Sequence, residues 1–438
     1  ALTELENDNN QLTTLDLSSN TALIKLKSAS NQLTSLDVSN NTALTYLKPS
    51  NNQLTSLDVS SNTALTQLRF YSNQITEIDL SSNTAIGNLE CGSNQLTSLD
   101  VSSNTALTSL ACQNNQLTYL NMKNGLTDQL STFNATGNSS LTCIETLDPD
   151  YATTNWTSDN GDIDEGVTFD VICGSEAVTH WYVATTGSDI TGSGTLASPL
   201  SSIQTAINAT TNGDTVSVAA GTYVENLVFG GKNLSLIGAD SSNTIIDGDS
   251  VSQVINLNNG EDSTTVIKNF TLRNGIGWEN NGSAILMDGS DYGPKLENLC
   301  ITQNYDNAIT SFGSTFSLKN SRLINNYFKA LSIQYPQLST IDNVIISGNA
   351  NGIKVITASP TFTNCVISNN TASGSGGGIY VRDESNVIMS NVTVSGNSAE
   401  NRGGIFCNTQ SNMIIRNSTI DNNTVTGSGG GFSIDNTS

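Results

Sequence analysis

Hydrophobic positions recur at a fixed interval through the first third of the chain. The tripeptide Asn-Gln-Leu, once Asn-Gln-Ile, begins every 21 residues, at Asn10, Asn31, Asn52, Asn73, Asn94 and Asn115. Leucines between these tripeptides keep the same period, as at Leu44 and Leu47. A constant period predicts a solenoid in which each repeat is one coil and its leucines stack on those of the next coil.

The repeat has a recognisable form. The segment Leu44-x-x-Leu47-x-x-x-x-Asn52-x-Leu54 resembles the leucine-rich repeat in its short bacterial form. Asn at a fixed corner suits a tight bend, because its amide can pair with backbone groups that the bend leaves unpaired. We predict a leucine-rich repeat solenoid over residues 1–125, and we expect the chain to begin within a repeat.

The period disappears after Leu126, and residues 126–180 hold ten acidic residues and no Lys or Arg. This segment resembles the C-terminal cap of bacterial leucine-rich domains, which covers the last coil. With that resemblance we predict a disulfide between Cys143 and Cys173 that holds the cap and linker together. A Ca²⁺ site in the acidic loop stays open, although its spacing does not match an EF-hand and solvated charge is the simpler interpretation. The loop acids are Asp159, Asp162, Asp164 and Glu165.

A different pattern begins after His180. The run Tyr182-Val-Ala-Thr-Thr-Gly187-Ser-Asp189 and the amphipathic stretch near 200–210 resemble the N-terminal entry of right-handed parallel β-helix proteins, the pectate-lyase-like group. The resemblance implies a short helix that covers the first coil, whose strand edges would otherwise be exposed.

Later coils of this second pattern are less regular. Asn followed by alternating apolar residues recurs at spacings of 29, 22, 23, 21, 27 and 26 residues, from Asn269 through Asn298, Asn320, Asn343, Asn364 and Asn391 to Asn417. We predict a right-handed parallel β-helix over residues 181–438 that is truncated at its C-terminus. The whole chain is then mainly β, with two tandem solenoids.

Charge and composition narrow the function by exclusion. The chain has 16 Lys and Arg against 39 Asp and Glu, a formal net charge of −23, which argues against a nucleic-acid partner. His180 is its single histidine, which removes most Ser-His-Asp, Cys-His and multi-His metal sites. No run of about 18 apolar residues predicts a membrane span. We predict no metal site and no cofactor. Ca²⁺ is the one ion whose binding the sequence leaves open.

The cations of the first domain are not scattered. Four of the five within residues 1–125 fall on the Leu-x-x-Leu strand, which in leucine-rich repeats lines the concave face and contacts ligands. We predict ligand binding there, by Lys25, Lys27, Tyr46, Lys48, Arg69 and Tyr71. Acidic polysaccharide is one candidate ligand. The alternative is a set of cross-strand ion pairs, such as Glu6 with Lys27, that need no ligand.

An outward column of Asp16, Asp37, Asp58, Asp79 and Asp100 also accompanies the repeats. It predicts either a ladder that binds cations or, more simply, carboxylates that hydrogen-bond the neighbouring turn.

Catalytic residues are sought in the predicted β-helix. Its resemblance to polysaccharide lyases implies an Arg or Lys base that removes a proton α to a uronate carboxylate. The candidates are Arg273, Arg322, Lys329 and Asp306, with Asp288 and Asp291 as further acids and Trp278, Tyr305, Tyr327 and Tyr335 as sugar platforms. They form no dense motif, so solvated loop residues are the alternative.

Two functions follow from these observations. The first is a bacterial protein, extracellular or on the cell surface, that binds a polysaccharide or a surface protein through two solenoid surfaces, as in adhesion or carbohydrate recognition. The second is a polysaccharide lyase that acts on an acidic, uronate-containing glycan through the β-helix. The missing catalytic motif favours binding.

Overall fold

The structure is a computed structural model that describes residues 1–175, 178–277, 281–289, 292–408, 410–427 and 430–435. Contacts between residues divide the chain into two compact units, Ala1–Ala177 and Val178–Ser438. Both units are built from short parallel strands, so the predicted mainly-β solenoid architecture is confirmed. The finer division at residues 125 and 180 stays a prediction.

The first unit contains two parallel sheets. The seven strands of its first sheet are Glu4–Glu6, Lys25–Lys27, Tyr46–Lys48, Gln67–Arg69, Asn88–Glu90, Ser109–Ala111 and Thr132–Asn134. The four strands of its second sheet are Ser98–Asp100, Tyr119–Asn121, Cys143–Glu145 and Thr168–Asp170. A 3-10 helix spans Thr127–Gln129, and helix α1 spans Pro149–Asn155.

Successive coils of the first unit repeat the same contacts. Leu26 pairs with Leu47, and Leu68 pairs with Leu89, in both cases 21 residues further along the chain. All four side chains are fully buried. Because every coil places a leucine at the same point, the apolar interior continues from one coil to the next.

Asparagines satisfy the backbone at the corner of each coil. The Oδ1 of Asn31 accepts a hydrogen bond from the Leu12 N–H at 3.0 Å, and its Nδ2 donates to the Asn7 carbonyl at 3.0 Å. Ser30, just before it, has a left-handed backbone with φ 55°. The same Oδ1 bond to the preceding coil recurs at Asn52, Asn73, Asn94, Asn115 and Asn138. The sequence period therefore reflects a hydrogen-bond ladder.

The segment after the repeats closes the first unit. Helix α1 begins where the Asp148 side chain accepts a hydrogen bond from the Tyr151 N–H. Just after the helix, the buried Trp156 ring lies 4.6 Å from the Phe133 ring and 5.7 Å from the Phe169 ring, between centroids. Cys143 and Cys173 form a disulfide, with their Cα atoms 5.9 Å apart.

Removing this disulfide should destabilise the first unit. The bond joins residues 30 apart in sequence, so it restricts the unfolded chain, and bridges of this size contribute about 2–4 kcal/mol. We expect the double variant Cys143→Ser/Cys173→Ser to unfold at a lower urea concentration than the parent. Cys300→Ser, at a half-buried free thiol of the second unit, is the control. Equal midpoints for parent and double variant would contradict the prediction.

The second unit has three long parallel sheets and a short fourth. Strands of the first sheet are His180–Val183, Thr215–Val218, Ser235–Gly238, Val266–Lys268, Lys295–Glu297, Ser317–Lys319, Thr340–Asp342, Thr361–Thr363, Asn386–Ser390 and Asn412–Arg416. Strands of the second sheet are Gly221–Val224, Thr244–Asp247, Thr271–Arg273, Cys300–Thr302, Arg322–Ile324, Ile345–Ser347, Val366–Ser368, Thr393–Ser395 and Thr419–Asp421.

A third sheet runs through the coils of the second unit, and the short sheet is added in its later coils. Strands of the third sheet are Leu227–Val228, Ile255–Leu257, Gly282–Asp288, Asn307–Phe312, Lys329–Gln334, Asn351–Ile356, Ile379–Arg382, Ile405–Asn408 and Phe432–Asp435. The short sheet contains Thr371–Ser375, Ser398–Asn401 and Thr424–Val425. The predicted entry helix is helix α2, Ile203–Ala209, which begins at Ser202 and buries Ile203 and Ile207.

Two asparagine ladders mark the turns of the second unit. The ladder that the sequence frame predicts is exposed: Nδ2 of Asn298 donates to Oδ1 of Asn269, and Nδ2 of Asn343 donates to Oδ1 of Asn320. The other ladder is largely buried, between the second and third sheets, at Asn304, Asn326, Asn349, Asn370, Asn397 and Asn423. Each of these asparagines precedes a strand of the third sheet, from Asn307–Phe312 to Phe432–Asp435.

Candidate functional site

The predicted ligand residues of the first unit lie on one sheet, here called the first-unit strand face: residues 25, 27, 46, 48, 69 and 71. Lys25 pairs in register with Tyr46, and Lys27 pairs with Lys48. Arg69 ends the next strand, and half-buried Tyr71 follows two residues later. Because strands of one sheet are about 4.8 Å apart, these side chains are neighbours.

Ion pairs neutralise three of the four cations on this face. The Nζ of Lys25 lies 2.7 Å from Oε1 of Glu6, and the Nζ of Lys27 lies 2.9 Å from the same oxygen. The two ammonium groups lower the pKa of Glu6 to about 2. Arg69 approaches Glu90 at 3.4 Å, and its guanidinium lies 5.8 Å from the centre of the Tyr46 ring.

Lys48 differs from the other three cations. Among the described residues its ammonium group has no ion-pair or hydrogen-bond partner. In register it lies beside Lys27, and Arg69 occupies the next strand. The first-unit strand face therefore combines paired charges with one free cation at its centre.

The acidic features of the first unit have local partners. Each aspartate of the outward column accepts a hydrogen bond from the backbone N–H of the Ser two residues later, as Asp37 does from Ser39 at 2.9 Å. Hydrogen bonds from Ser39 also lower the pKa of Asp37. In the capping segment, Asp164 accepts hydrogen bonds from the N–H groups of Gly137 and Asn138. These contacts agree with the simpler interpretation of both sets of acids.

A buried ion pair in the first unit was not expected from the sequence. The Nζ of Lys123 lies 2.8 Å from Oε2 of Glu145, and the two side chains are only 4% and 10% exposed. The same carboxylate accepts hydrogen bonds from the Tyr119 hydroxyl and the Cys173 N–H, each at 3.2 Å. The one signal in the sequence was Lys123 itself, the only cation of residues 1–125 off the strand face.

The predicted catalytic residues of the second unit do not share one sheet. Arg273 lies in the second sheet and makes an ion pair with Asp247, with Nε 2.7 Å from Oδ2. Arg322 is exposed, on the second sheet two strands further along. Lys329 begins a strand of the third sheet. Trp278 and Asp291 lie outside the described residues.

The surroundings of Lys329 lower the pKa of its ammonium group. Burial and the nearby Lys354 lower its pKa to about 8, and Asp306 acts in the opposite direction. Its ammonium group lies 3.7 Å from the centre of the Phe328 ring. The rings of Tyr305 and Tyr327 stack at 5.0 Å between centroids, and both side chains are exposed. Tyr335 is exposed and has φ 69°, which bulky residues rarely adopt.

The third sheet carries further residues that the sequence did not indicate. Lys354, Tyr380 and Phe406 follow one another in register on its outward side. The Tyr380 and Phe406 rings stack at 5.2 Å between centroids, with 9° between their planes. Arg382 lies two residues after Tyr380, and the Arg402 guanidinium lies 4.1 Å from the centre of the Phe406 ring. Because the coils of the second unit differ in length, the sequence does not show that these residues are neighbours.

Over the part of the chain that the structure describes, no group of three or more His, Cys, Asp or Glu side chains is placed to hold a metal ion. Within the same residues, no helix has both the length and the apolar character needed to cross a membrane. Cys91 and Cys112 are free thiols that are fully buried in the core of the first unit.

Comparisons with known proteins address the second unit most directly. A family model described as a right-handed β-helix region matches residues 310–438. Over these residues the chain is similar to the right-handed β-helix family. That family bears out the predicted resemblance over these residues. No curated protein matches the chain.

Solved structures similar to the chain include an internalin, the functional domain of InlJ and a pectate lyase. An internalin, InlF of Listeria monocytogenes, is 29% identical over 33% of this chain and 47% of its own, with a TM-score of 0.29. The functional domain of InlJ from Listeria monocytogenes is 18% identical over 79% of this chain and 75% of its own, with a TM-score of 0.28. The pectate lyase Pel9A is 15% identical over 54% of this chain and 69% of its own, with a TM-score of 0.42. This chain thus spans less than half the length of InlF.

Proposed function

We propose that this chain is a bacterial binding protein, extracellular or on the cell surface, and that its first-unit strand face recognises an acidic polysaccharide. The first unit, in this proposal, is a leucine-rich repeat domain with a cap, and the second is a β-helix that presents a further surface. The single observation that carries the proposal is Lys48, a cation at the centre of the first-unit strand face that has no partner among the described residues.

The charges around Lys48 favour an anionic ligand. Like charges on neighbouring strands destabilise a sheet, and Lys48 lies directly beside Lys27. Glu6 offsets the charge of Lys27, and Glu90 offsets that of Arg69, but neither reaches Lys48. A carboxylate or sulfate on a bound glycan would supply the missing partner through a charge-assisted hydrogen bond.

The aromatic rings favour a sugar as the carrier of that anion. Tyr46 precedes Lys48 by two residues on the same strand, and both side chains are half-buried on the outward side. Arg69 contacts the Tyr46 ring and so holds it in place beside the charge. The Tyr46 ring can pack against the apolar face of a uronate while the Lys48 ammonium group binds its carboxylate.

Loss of the Lys48 charge should weaken binding of a uronate oligosaccharide by roughly tenfold, the effect of one charge-assisted hydrogen bond. The measurement is calorimetric titration of the full chain and of Lys48→Gln. Lys319→Gln, which removes an exposed lysine from the second unit, is the control with the same change in net charge. Equal weakening in both variants, or no binding of any acidic glycan, would refute the proposal.

A second candidate function, a polysaccharide lyase, rests on Lys329. A lysine whose pKa is about 8 is a competent base near neutral pH, and Asp306 is near it. The other candidates do not support it: Arg273 is occupied by Asp247, and Arg322 belongs to a different sheet. We therefore expect binding without turnover. Growth of the ultraviolet absorbance of unsaturated uronate ends, lost in Lys329→Ala, would establish the lyase instead.

A further inference from the structure

We infer that the outward face of the first sheet of the second unit is an interface between two copies of this chain, which pack face to face about a twofold axis. The partner at this surface is therefore a second copy of the same sequence. The residues involved all belong to the second unit, and none of them lies on the first-unit strand face.

Two rows of outward side chains form this surface, here called the first-sheet face. Exposed and buried residues alternate along its strands, as in Lys295–Glu297, where Leu296 is buried between two exposed neighbours. The row called the charged row contains Tyr182, Ser217, Ile237, Lys268, Glu297, Lys319, Asp342, Thr363, Ser390 and Arg416. The row beside it contains His180, Thr215, Ser235, Val266, Lys295, Ser317, Thr340, Thr361, Ile388 and Ile414.

Positive and negative side chains alternate in the middle of the charged row. Lys268 pairs in register with Glu297. On the next two strands Lys319 follows Glu297, and Asp342 follows Lys319. Glu297 and Lys319 are exposed, and the outer two residues are half-buried. Among the described residues no ion pair within one chain joins any two of the four, so the row presents alternating charges to a partner.

A twofold axis makes the charged row complementary to itself. The axis runs along the strand direction, midway between the strands of Glu297 and Lys319, and it reverses the order of the coils in the second copy. Lys319 of one copy then lies opposite Glu297 of the other, and Asp342 lies opposite Lys268. Because the contact is reciprocal, each of these ion pairs forms twice.

Other positions of the axis do not give this match. An axis through the strand of Glu297 places that carboxylate against its own copy, and an axis through the strand of Lys319 places two lysines against each other. Like charges that lie directly opposite one another destabilise a contact. An axis between any other two strands pairs fewer of the four charges. Charge alone therefore selects the axis between Glu297 and Lys319.

The alternating order also distinguishes a second copy from other partners. A uronate or sulfated polymer carries charges of one sign, so the groups that bind the two lysines would be repelled by the two acids of the same row. A protein partner must present the reversed order at the spacing of a parallel sheet, about 4.8 Å from strand to strand. The first-sheet face of a second copy presents exactly that order at that spacing.

The remaining charges of the face are compatible with this arrangement. Lys295 has an acid of its own chain in range, because hydrogen bonds from Thr264 lower the pKa of Asp262 and the charge of Lys295 lowers it further. Arg416, on the last strand, comes to lie opposite Tyr182 of the other copy. A guanidinium group can bind there against the face of the aromatic ring.

The size of the face predicts a weak, reversible dimer. Ten strands about 4.8 Å apart make it roughly 45 Å long. Toward its ends most side chains are Ser, Thr, Val or Ile, including the exposed Ile388 and Ile414, so the sheets can approach to about 10 Å. Two rows cover somewhat less than the roughly 800 Å² per partner of a standard interface. We therefore expect a dissociation constant of roughly 10 µM.

The test is sedimentation velocity of the full chain between roughly 1 and 100 µM, at about 0.15 M salt. The parent should change from monomer to dimer over this range. Lys319→Glu and Glu297→Lys should each weaken self-association by at least roughly hundredfold, because two ion pairs become two like-charge contacts. Arg322→Glu, at an exposed position of the second sheet, makes the same change in net charge as Lys319→Glu and should dimerise like the parent.

A mixture of the two variants separates an interface from a role within one chain. When a Lys319→Glu chain meets a Glu297→Lys chain, every contact between positions 297 and 319 joins opposite charges. An equimolar mixture should therefore dimerise although neither variant does so alone. If these charges only stabilise neighbouring strands of one chain, mixing changes nothing. A parent that stays monomeric at the highest concentration, or a mixture as monomeric as its components with parental thermal unfolding midpoints, would overturn the inference.

Discussion

Replacing Lys123 by Met should lower the free energy of unfolding of the first unit by about 3–5 kcal/mol, the usual effect of breaking a buried ion pair. The substitution leaves the Glu145 carboxylate almost fully buried without its cation. The hydrogen bonds from Tyr119 and Cys173 remain, but they do not neutralise the charge. Desolvation of a lone carboxylate then opposes folding.

A double variant distinguishes the effect of losing the ion pair from the effect of altered packing. Lys123→Met/Glu145→Leu removes both charges and keeps apolar volume, so it should recover most of the lost stability. Lys25→Met, which breaks an exposed ion pair on the strand face, should leave the unfolding midpoint nearly unchanged. Urea unfolding gives the values, and hydrogen exchange of residues 98–170 assigns them to the first unit. A double variant as unstable as the single one would contradict this account.

Replacing Asn349 by Ala should destabilise the second unit by about 3–5 kcal/mol, since several buried polar groups lose their partners at once. The Nδ2 of Asn349 donates to the Leu323 carbonyl and to Asn370 Oδ1, both at 2.9 Å. Its Oδ1 accepts hydrogen bonds from the N–H and the Nδ2 of Asn326. The side chain therefore links three coils.

The exposed ladder of the same unit provides the matched control. Asn391 donates one hydrogen bond to Asn364 at 2.7 Å, is exposed, and has φ 58°. Glycine readily adopts that backbone conformation, and at this exposed position water can replace the lost hydrogen bond. We therefore expect Asn391→Gly to change the free energy of unfolding by no more than about 1 kcal/mol. Thermal unfolding of both variants measures the difference. Similar losses at the two positions would show that burial of the ladder does not determine its contribution.

The first unit was predictable because its coils have equal length. When residue 26 pairs with residue 47 and residue 47 with residue 68, a column in the sequence is a column in space. The pattern of leucines thus indicated the core, and the clustering of Lys25, Lys48 and Arg69 on one strand indicated a charged face. Cys143 and Cys173, the prediction that came from the resemblance, are joined in the structure.

For the second unit, the sequence predicted the fold but not which side chains lie next to one another. Its coils differ in length, so the sequence did not show that Lys354 lies beside Tyr380 or that Lys329 lies near Lys354. The predicted candidates were chosen by residue type within one irregular stretch. The structure instead places Arg273 with Asp247 and separates Arg322 from Lys329 by sheet.

The sequence by itself determined the solenoid architecture, the stacked apolar core of the repeats and the asparagine corners, because these depend on the identity and period of residues along the chain. Only the tertiary structure decided which charged side chains have a partner of opposite charge. Glu6 binds two lysines, Lys123 is buried against Glu145, and Lys48 is left without a partner among the described residues. The reason is that electrostatic pairing depends on distances of a few ångströms between different coils and on burial, which a linear pattern does not contain.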